Sequence, residues 1–414
     1  MPGYLTVAGV AAVVTFLLTF VMRKVSPRIG AVALPGPRSI HTKATPSLGG
    51  AAMFAGFLVA MAVASQLTQF HEIFADNTEP LGLLLAAGVM FVVGAIDDLR
   101  EVSPPAKIAG QVLSGSVLSL LGVTMLYFRV PLASYEYVVL SPDLAPLVTV
   151  LTVVVMANAI NLIDGLDGLA AGIVLIAGSA MFLYADRLFK AGLLEGSNMG
   201  PLVAAITVGI CAGFLPHNFN PARIFMGDAG AMFLGLLLAT TTITVGGRTA
   251  DPFSGQTYFY FAPLAIPLVI LGVPIFDTAF SFLRRIVKRQ SFAQADHEHL
   301  HHRLMRMGHG PRRAVVILWL WTALLSAVVL LPTFTHRGNA LVPLAVVALG
   351  LLLYIYFHPG VRSLRVGRGK AAGEGPGDAP GQGAEPTTGD DGGSGEGRTG
   401  EVVELEARRA ARGR

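Results

Sequence analysis

Apolar runs of about 20 residues recur along this chain as far as position 357, separated by short stretches that hold the charge, proline and glycine. An α-helix of that length matches the hydrocarbon thickness of a bilayer, and in lipid a helix satisfies all of its own backbone groups. With 53% hydrophobic and only 14% charged residues, the chain is too apolar for an ordinary soluble protein of 414 residues. The sequence therefore specifies an all-α, polytopic membrane bundle. Helices are expected near residues 4–23, 48–68, 80–96, 107–126, 145–161, 169–186, 200–216, 229–246, 258–283, 314–332 and 340–357, about eleven transmembrane segments in all.

Lysine and arginine set the orientation, because cytoplasmic loops carry the positive excess. Loops on one side hold Arg23, Lys24, Arg28, Arg38, Lys43, Arg100, Lys107, Arg223, the basic stretch from Arg284 to Arg313, and Arg362 to Lys370. The other side has only Arg129, Arg187, Lys190, Arg248 and Arg337. This asymmetry puts the amino terminus outside and the carboxyl terminus in the cytoplasm. The first segment reads as a permanent span and not as a cleaved leader, since its charges follow the apolar run.

Residues 1–358 are expected to form the membrane domain and 359–414 a disordered cytoplasmic tail. From about position 366 the chain is rich in Gly, Pro, Glu and Asp and nearly free of aromatic residues, too polar to offset the entropy of ordering. The single Cys211 excludes disulfides within the chain and reads as packing. The net charge of +4 follows from the basic loops and gives no reason to expect nucleic-acid binding.

Chemistry-bearing residues gather at the ends of the apolar segments. A carboxylate near hydrocarbon is costly, so ionisable groups placed there point to a site. Asp97, Asp98 and Glu101 follow the third segment in GAIDDLREVSPPAK. The aspartates sit at the negative end of their own helix, which disfavours capping of that helix. They read either as a solvated loop start or as a carboxylate pair that binds a cation or accepts a proton, with Lys107 as a phosphate or carboxylate partner. In NAINLIDGLDGLAAG, Asn161, Asp164 and Asp167 are spaced by three and share a helical face, while the glycines permit a break. Asp167 is an equal candidate for capping the next helix.

In NFNPARIFMGDAGAMFLG, Asp228 precedes an apolar run, so N-capping competes with metal ligation, and Phe225 reads as packing or as a stacking surface for a base. The tract ADHEHLHHRLMRMGHG places His299, His301, His302 and Arg303 together. Zinc binding is one reading; a polar clamp on phosphate oxygens suits the neighbouring arginines better. All these motifs follow odd-numbered segments and therefore face the cytoplasm. An inward site of acids, amides, histidines and bases suits Mg²⁺ with an anionic phosphate substrate.

On these residues the chain resembles the polyprenyl-phosphate N-acetylhexosamine-1-phosphate transferases, also called glycosyltransferase family 4. The DD pair at 97 and 98, NxxNxxDGLDGLA from 158, FMGDAG from 225 and HLHHRL from 299 occur in that family's order and cover the chain from about 38 to 313. The HLHHRL form is similar to the undecaprenyl- or decaprenyl-phosphate N-acetylglucosaminyl 1-phosphate transferase branch; the triple-histidine motif of the phospho-MurNAc-pentapeptide translocases is absent. The resemblance implies a bacterial plasma-membrane enzyme with its site on the cytoplasmic face. Such an enzyme joins UDP-GlcNAc to a polyprenyl phosphate and releases UMP, with Mg²⁺, or Mn²⁺ in its place, as cofactor. A homodimer is compatible with it.

Residue by residue, the resemblance makes Asp228 a metal ligand and Asp164 a nucleotide or metal contact. Asp97 or Asp98 orients or deprotonates the lipid phosphate. Lys43, Asp167 and Phe225 match positions near the uracil, and Asn161 matches a nucleotide or metal contact. His299, His301, His302 and Arg303 match the loop that grips sugar and diphosphate. The alternatives are the same reaction with another UDP-N-acetylhexosamine or with UDP-MurNAc-pentapeptide, and, in another class, an ion-coupled transporter. A transporter predicts functional groups mid-span or on both faces.

Overall fold

The computed structural model describes residues 1–33, 44–75, 77–128, 138–248, 310–335 and 341–357, all within the unit Met1–Arg365. The expected helix at 258–283, Lys43, the histidine tract and the tail lie outside the described residues. Each remaining apolar segment contains a helix: α1 Pro2–Val25, α2 Gly49–Ala64, the short α3 His71–Phe74, α4 Glu79–Leu99, α5 Pro104–Leu120, α6 Leu144–Ile163, α7 Leu169–Lys190, α8 Gly200–Asn218, α9 Gly227–Gly246, α10 Pro311–Thr335 and α11 Leu341–Phe357.

Seven helices among the described residues are long and apolar enough to cross a membrane. An eighth is added if Gly49–Ala64 and Thr68–Phe74, which meet at 92°, count as one broken span. The expected span at 48–68 thus ends early, because Ser65 and Gln66 close the helix and the chain turns. Helices α5 and α11, at 17 residues each, are short for a crossing.

Helix α9 lies at the centre, with every residue of its 18-residue apolar window buried. A helix apolar on all sides belongs inside a bundle. Its Thr240, Thr241, Thr242 and Thr244 hydroxyls donate to carbonyls four residues back at 2.8–2.9 Å, so no polar side chain there is left without a partner in the apolar interior. Helices α2, α4, α6, α7 and α8 pack around it.

Small residues and aromatic rings fill the interfaces. Gly209 and Gly213 of α8 meet the backbone of Ala8 and Ala12 in α1 so closely that a side chain would not fit. Phe54 of α2 stacks on Phe91 of α4 at 4.6 Å, and Phe57 meets Phe233 of α9 edge-on at 5.4 Å. At the end of α9 remote from Asp228, Arg248 pairs with Glu79 at 2.5 Å and donates to the carbonyls of Gly122 and Thr124, tying α9 to α4 and α5.

Two antiparallel ladders of two-residue strands interrupt the helices: β1 Val32–Ala33 with β2 Thr45–Pro46, and β3 Tyr127–Phe128 with β4 Val138–Val139. The first leads straight into α2. Phe225 donates its backbone N–H to Pro46 at 2.8 Å and accepts from Gly49 at 2.9 Å, so the loop ahead of α9 is pinned to the start of α2.

Candidate functional site

Four helix ends meet at one end of the bundle. The last turn of α4 carries Asp97 and Asp98, because the helix continues through Leu99 and does not stop short of the pair. Asp97 Oδ1 accepts the Val102 N–H at 2.8 Å, which closes the turn into α5. Its Oδ2 lies 2.8 Å from Lys107 Nζ, in the first turn of α5. The same ammonium bonds Asp228 Oδ2 in the first turn of α9. Asn161, from the last turn of α6, reaches that oxygen at 3.4 Å through Nδ2.

These side chains are neither sealed nor free. Lys107, Asp97 and Asp228 keep 19%, 15% and 26% of their side-chain surface, so each stays partly accessible.

Asp98, one residue along the helix, points elsewhere. Its two oxygens accept backbone N–H groups from the first turn of α9, Asp228 at 2.8 Å and Ala229 at 3.2 Å. Asp228 itself does not cap α9; the N-cap position is Met226, which makes no side-chain cap bond, and Asp228 turns its carboxylate to Lys107. Glycines make the approach possible. A side chain at Gly94 of α4 would collide with the backbone of Asp228 and Ala229, and one at Gly50 of α2 with Gly230. Gly227 holds φ +69, and a side chain there would strike the Asp98 carboxylate.

The turn between α6 and α7 brings a second polar group. Asp167 is buried, and its Oδ2 accepts Asn220 Nδ2 at 2.8 Å and the Ala222 N–H at 2.9 Å. It does not cap α7, whose N-cap is Gly168 at φ +77 with no side-chain bond. Instead Asn218 Oδ1 accepts the Gly168 N–H at 3.0 Å while its Nδ2 donates to Ile224. Arg312, at the start of α10, donates through Nε to both oxygens of Asn220 at 3.1 Å. The 164–168 turn, the 219–226 loop and α10 are thereby locked together.

Asp164 lies in the same turn, outside the spans. Although its side chain keeps partial exposure, enough protein surrounds it that burial raises its pKa well above the ordinary carboxylate range. Asp228, Asp98 and Asp167 add negative charge and raise it further. The cluster thus holds more carboxylate than Lys107 neutralises.

The structure brings together Asp97, Asp98, Lys107, Asn161, Asp164 and Asp228, with Asp167 on the 164–168 turn and Phe225 on the adjoining 219–226 loop. Lys43, His299, His301, His302 and Arg303 lie outside the described residues. Sequence reading assigned nothing to Gln111, Asn218, Asn220 or Arg312. Gln111, buried in α5 one turn beyond Lys107, exchanges amide hydrogen bonds with Asn158 of α6 at 2.6 and 3.4 Å. An asparagine pair spaced by two before a proline was the visible sign of the 218–221 loop.

Among the described residues, no group of three or more His, Cys, Asp or Glu is placed to hold a metal ion by itself. Asp228 and Asp164, with Asn161, are hard oxygen donors of the kind Mg²⁺ uses in ones and twos, with phosphate oxygens and water completing its shell. The donor set fits that ion in the presence of an anionic substrate.

Residues 80–246, from α4 to α9 and including all of this cluster, match the model of glycosyl transferase family 4. The chain is 36% identical over 324 residues to the decaprenyl-phosphate N-acetylglucosaminephosphotransferase of Mycobacterium tuberculosis, covering 76% of this chain and 79% of that protein. This chain belongs to glycosyl transferase family 4. A probable undecaprenyl-phosphate N-acetylglucosaminyl 1-phosphate transferase of Bacillus subtilis is 33% identical over 76% of this chain and 81% of its own length. The undecaprenyl-phosphate alpha-N-acetylglucosaminyl 1-phosphate transferase of Escherichia coli is 27% identical over 83% and 87%. These relatives are transferases, which supports the transferase reading over the transporter one.

Proposed function

We propose that this family 4 enzyme transfers N-acetylglucosamine 1-phosphate from UDP-GlcNAc to a polyprenyl phosphate at the cytoplasmic face of a bacterial plasma membrane. The products are polyprenyl-diphosphate-GlcNAc and UMP, the first lipid-linked intermediate of a cell-wall or surface glycan. The observation that carries the reading is the Lys107 ammonium shared by Asp97 and Asp228 where α4, α5 and α9 meet. It puts a cation and metal-type oxygen donors at the ends of apolar helices, where a lipid phosphate and a soluble nucleotide can both arrive. The relatives' names agree with the polyprenyl phosphate acceptor and the N-acetylglucosamine phosphate transferred to it.

Attack of one phosphate on another must overcome anionic repulsion. Mg²⁺, held through Asp228 and Asp164, would neutralise charge on the diphosphate and the departing UMP. Lys107 supplies a second positive charge beside it. Asp97, fixed by Val102 and Lys107, orients the lipid phosphate; proton removal contributes little, because a phosphate monoester is already largely ionised near neutral pH. Asn161 steadies Asp228, and Asp167 with Phe225 forms the nucleotide side of the site. The role that the family resemblance gives His299, His301, His302 and Arg303 is a grip on the sugar and diphosphate.

Incubating the purified protein with polyprenyl phosphate and a panel of radiolabelled UDP-sugars tests the assignment. UDP-GlcNAc is expected to give a lipid-extractable product with release of UMP. Preference for another UDP-N-acetylhexosamine moves the donor and keeps the reaction. No lipid-linked product from any donor refutes it.

A further inference from the structure

We propose that Asp98 is a positioning residue, one that fixes the first turn of α9 and thereby sets where the Asp228 carboxylate meets Lys107. The inference rests on the reading of Asp228 as part of the transfer site.

Both Asp98 oxygens are committed to α9 backbone, at 2.8 Å from the Asp228 nitrogen and 3.2 Å from that of Ala229. The first N–H groups of a helix have no partner within it, and Met226 at the N-cap makes no side-chain bond, so a carboxylate 130 residues away in sequence does the capping. The charge suits the place. The positive end of α9 receives Asp98, which its own helix, α4, holds unfavourably at a negative end.

The packing is built for this contact. Gly94 stands one turn before Asp98, and lacks the side chain that would push α9 away. Gly50 does the same from α2, and Gly227 leaves room for the carboxylate. The Asp228 side chain leaves the same turn of helix whose backbone Asp98 grips. Any shift of that turn moves Asp228 relative to Lys107 and Asn161. Asp97 differs in kind, since its oxygens go to Lys107 and Val102 and face the cluster. The adjacent aspartates divide the work, one toward the reacting groups and one holding the scaffold.

The test compares Asp98→Ala, Asp98→Asn and Asp97→Asn in the purified full-length protein, by steady-state kinetics and by hydrogen–deuterium exchange at the start of α9. In Asp98→Ala, exchange at amides 228 and 229 should rise about tenfold or more, the later turns of α9 should keep wild-type protection, and kcat should fall by at least about tenfold. KM for both substrates should stay within about threefold, because substrate contacts remain. Asp98→Asn, which keeps one acceptor oxygen, should fall between wild type and alanine in both readouts and serves if the alanine variant does not fold. Asp97→Asn should lose activity with wild-type exchange. The proposal is overturned if an inactive Asp98 variant keeps wild-type exchange at 228 and 229, or if exchange rises while kcat is unchanged. Failure of the underlying site reading is separate: it would appear as full activity in Asp228→Ala, whatever the exchange pattern.

Discussion

The Lys107 ammonium bonds the Asp228 carboxylate across 121 residues of chain, joining the first turn of α5 to the first turn of α9. Since Asp97 shares the same nitrogen, one lysine holds two carboxylates together that would otherwise repel. Removing it should do two things. Lys107→Ala is expected to lower kcat by about 100-fold or more, the scale for deleting one preorganised charge from a transition state. It should also leave Asp97 and Asp228 facing each other unneutralised, so that added divalent cation raises the thermal midpoint more in the variant than in wild type. Paired turnover and thermal-shift measurements check both; normal turnover would remove Lys107 from the chemistry.

Asp164 gives a pH-dependent prediction. Its pKa is raised in the fold, by burial first and then by Asp228, Asp98 and Asp167, so the folded state holds its proton more tightly than the unfolded chain does. The stability this group contributes is complete below the unfolded carboxylate pKa of about 4 and is lost as pH rises toward the raised folded value. Asp164→Asn, which cannot ionise, should flatten the fall in thermal stability above pH ~4 in the absence of divalent cation. The same variant should lose most transferase activity. Parallel stability curves for the two proteins would show that the carboxylate is not penalised in the fold.

The Gln111–Asn158 amide pair sets α5 against α6, one turn from Lys107 and Asn161. Asn158→Leu strands the buried Gln111 amide and should cost about 1–3 kcal/mol, whereas Gln111→Leu leaves the half-buried Asn158 its bond to the Val154 carbonyl and should cost less. The double substitution removes both groups and should recover part of that loss, because no polar group is then stranded. Thermal unfolding of the two single variants and the double variant closes the cycle; additive losses would mean the pair is not coupled.

Gly94→Ala and Gly50→Ala should drive the start of α9 out of its notch, since the added carbon meets backbone and not a flexible side chain. Each is expected to cost about 1–3 kcal/mol and to lower activity. Gly88→Ala, also in α4, meets nothing within 4 Å and should be neutral or slightly stabilising through helix propensity. Thermal stability and turnover of the three variants separate a local packing effect from a general intolerance of alanine in α4.

Much of this arrangement is legible in the sequence and some of it is not, for identifiable reasons. Helix positions follow from runs of apolar residues, and the gathering of Asp97, Lys107, Asn161 and Asp228 follows from their places at helix ends on one side. Asp98 shows the limit. Its position at the negative end of α4 argues against capping its own helix, and that holds, yet it caps α9 instead, a contact that only tertiary packing creates. Asp167 and Asp228 looked equally suited to N-capping because both precede apolar runs. Asn218 and Asn220 hold the 164–168 turn and Asp167, and Gly168 takes the N-cap of α7, while Asp98 takes the N-terminus of α9. The bend after Ala64 was hidden because the residues beyond it, Leu67, Phe70, Ile73 and Phe74, keep the stretch apolar.

The most direct test of the central claim is formation of lipid-linked sugar and UMP by purified wild type and Asp228→Ala, each with Mg²⁺ and with chelator. Wild type should form the two products in equal amounts only with the divalent cation, and Asp228→Ala should form neither while remaining folded. Undiminished product from Asp228→Ala, or cation-independent transfer by wild type, would contradict the account.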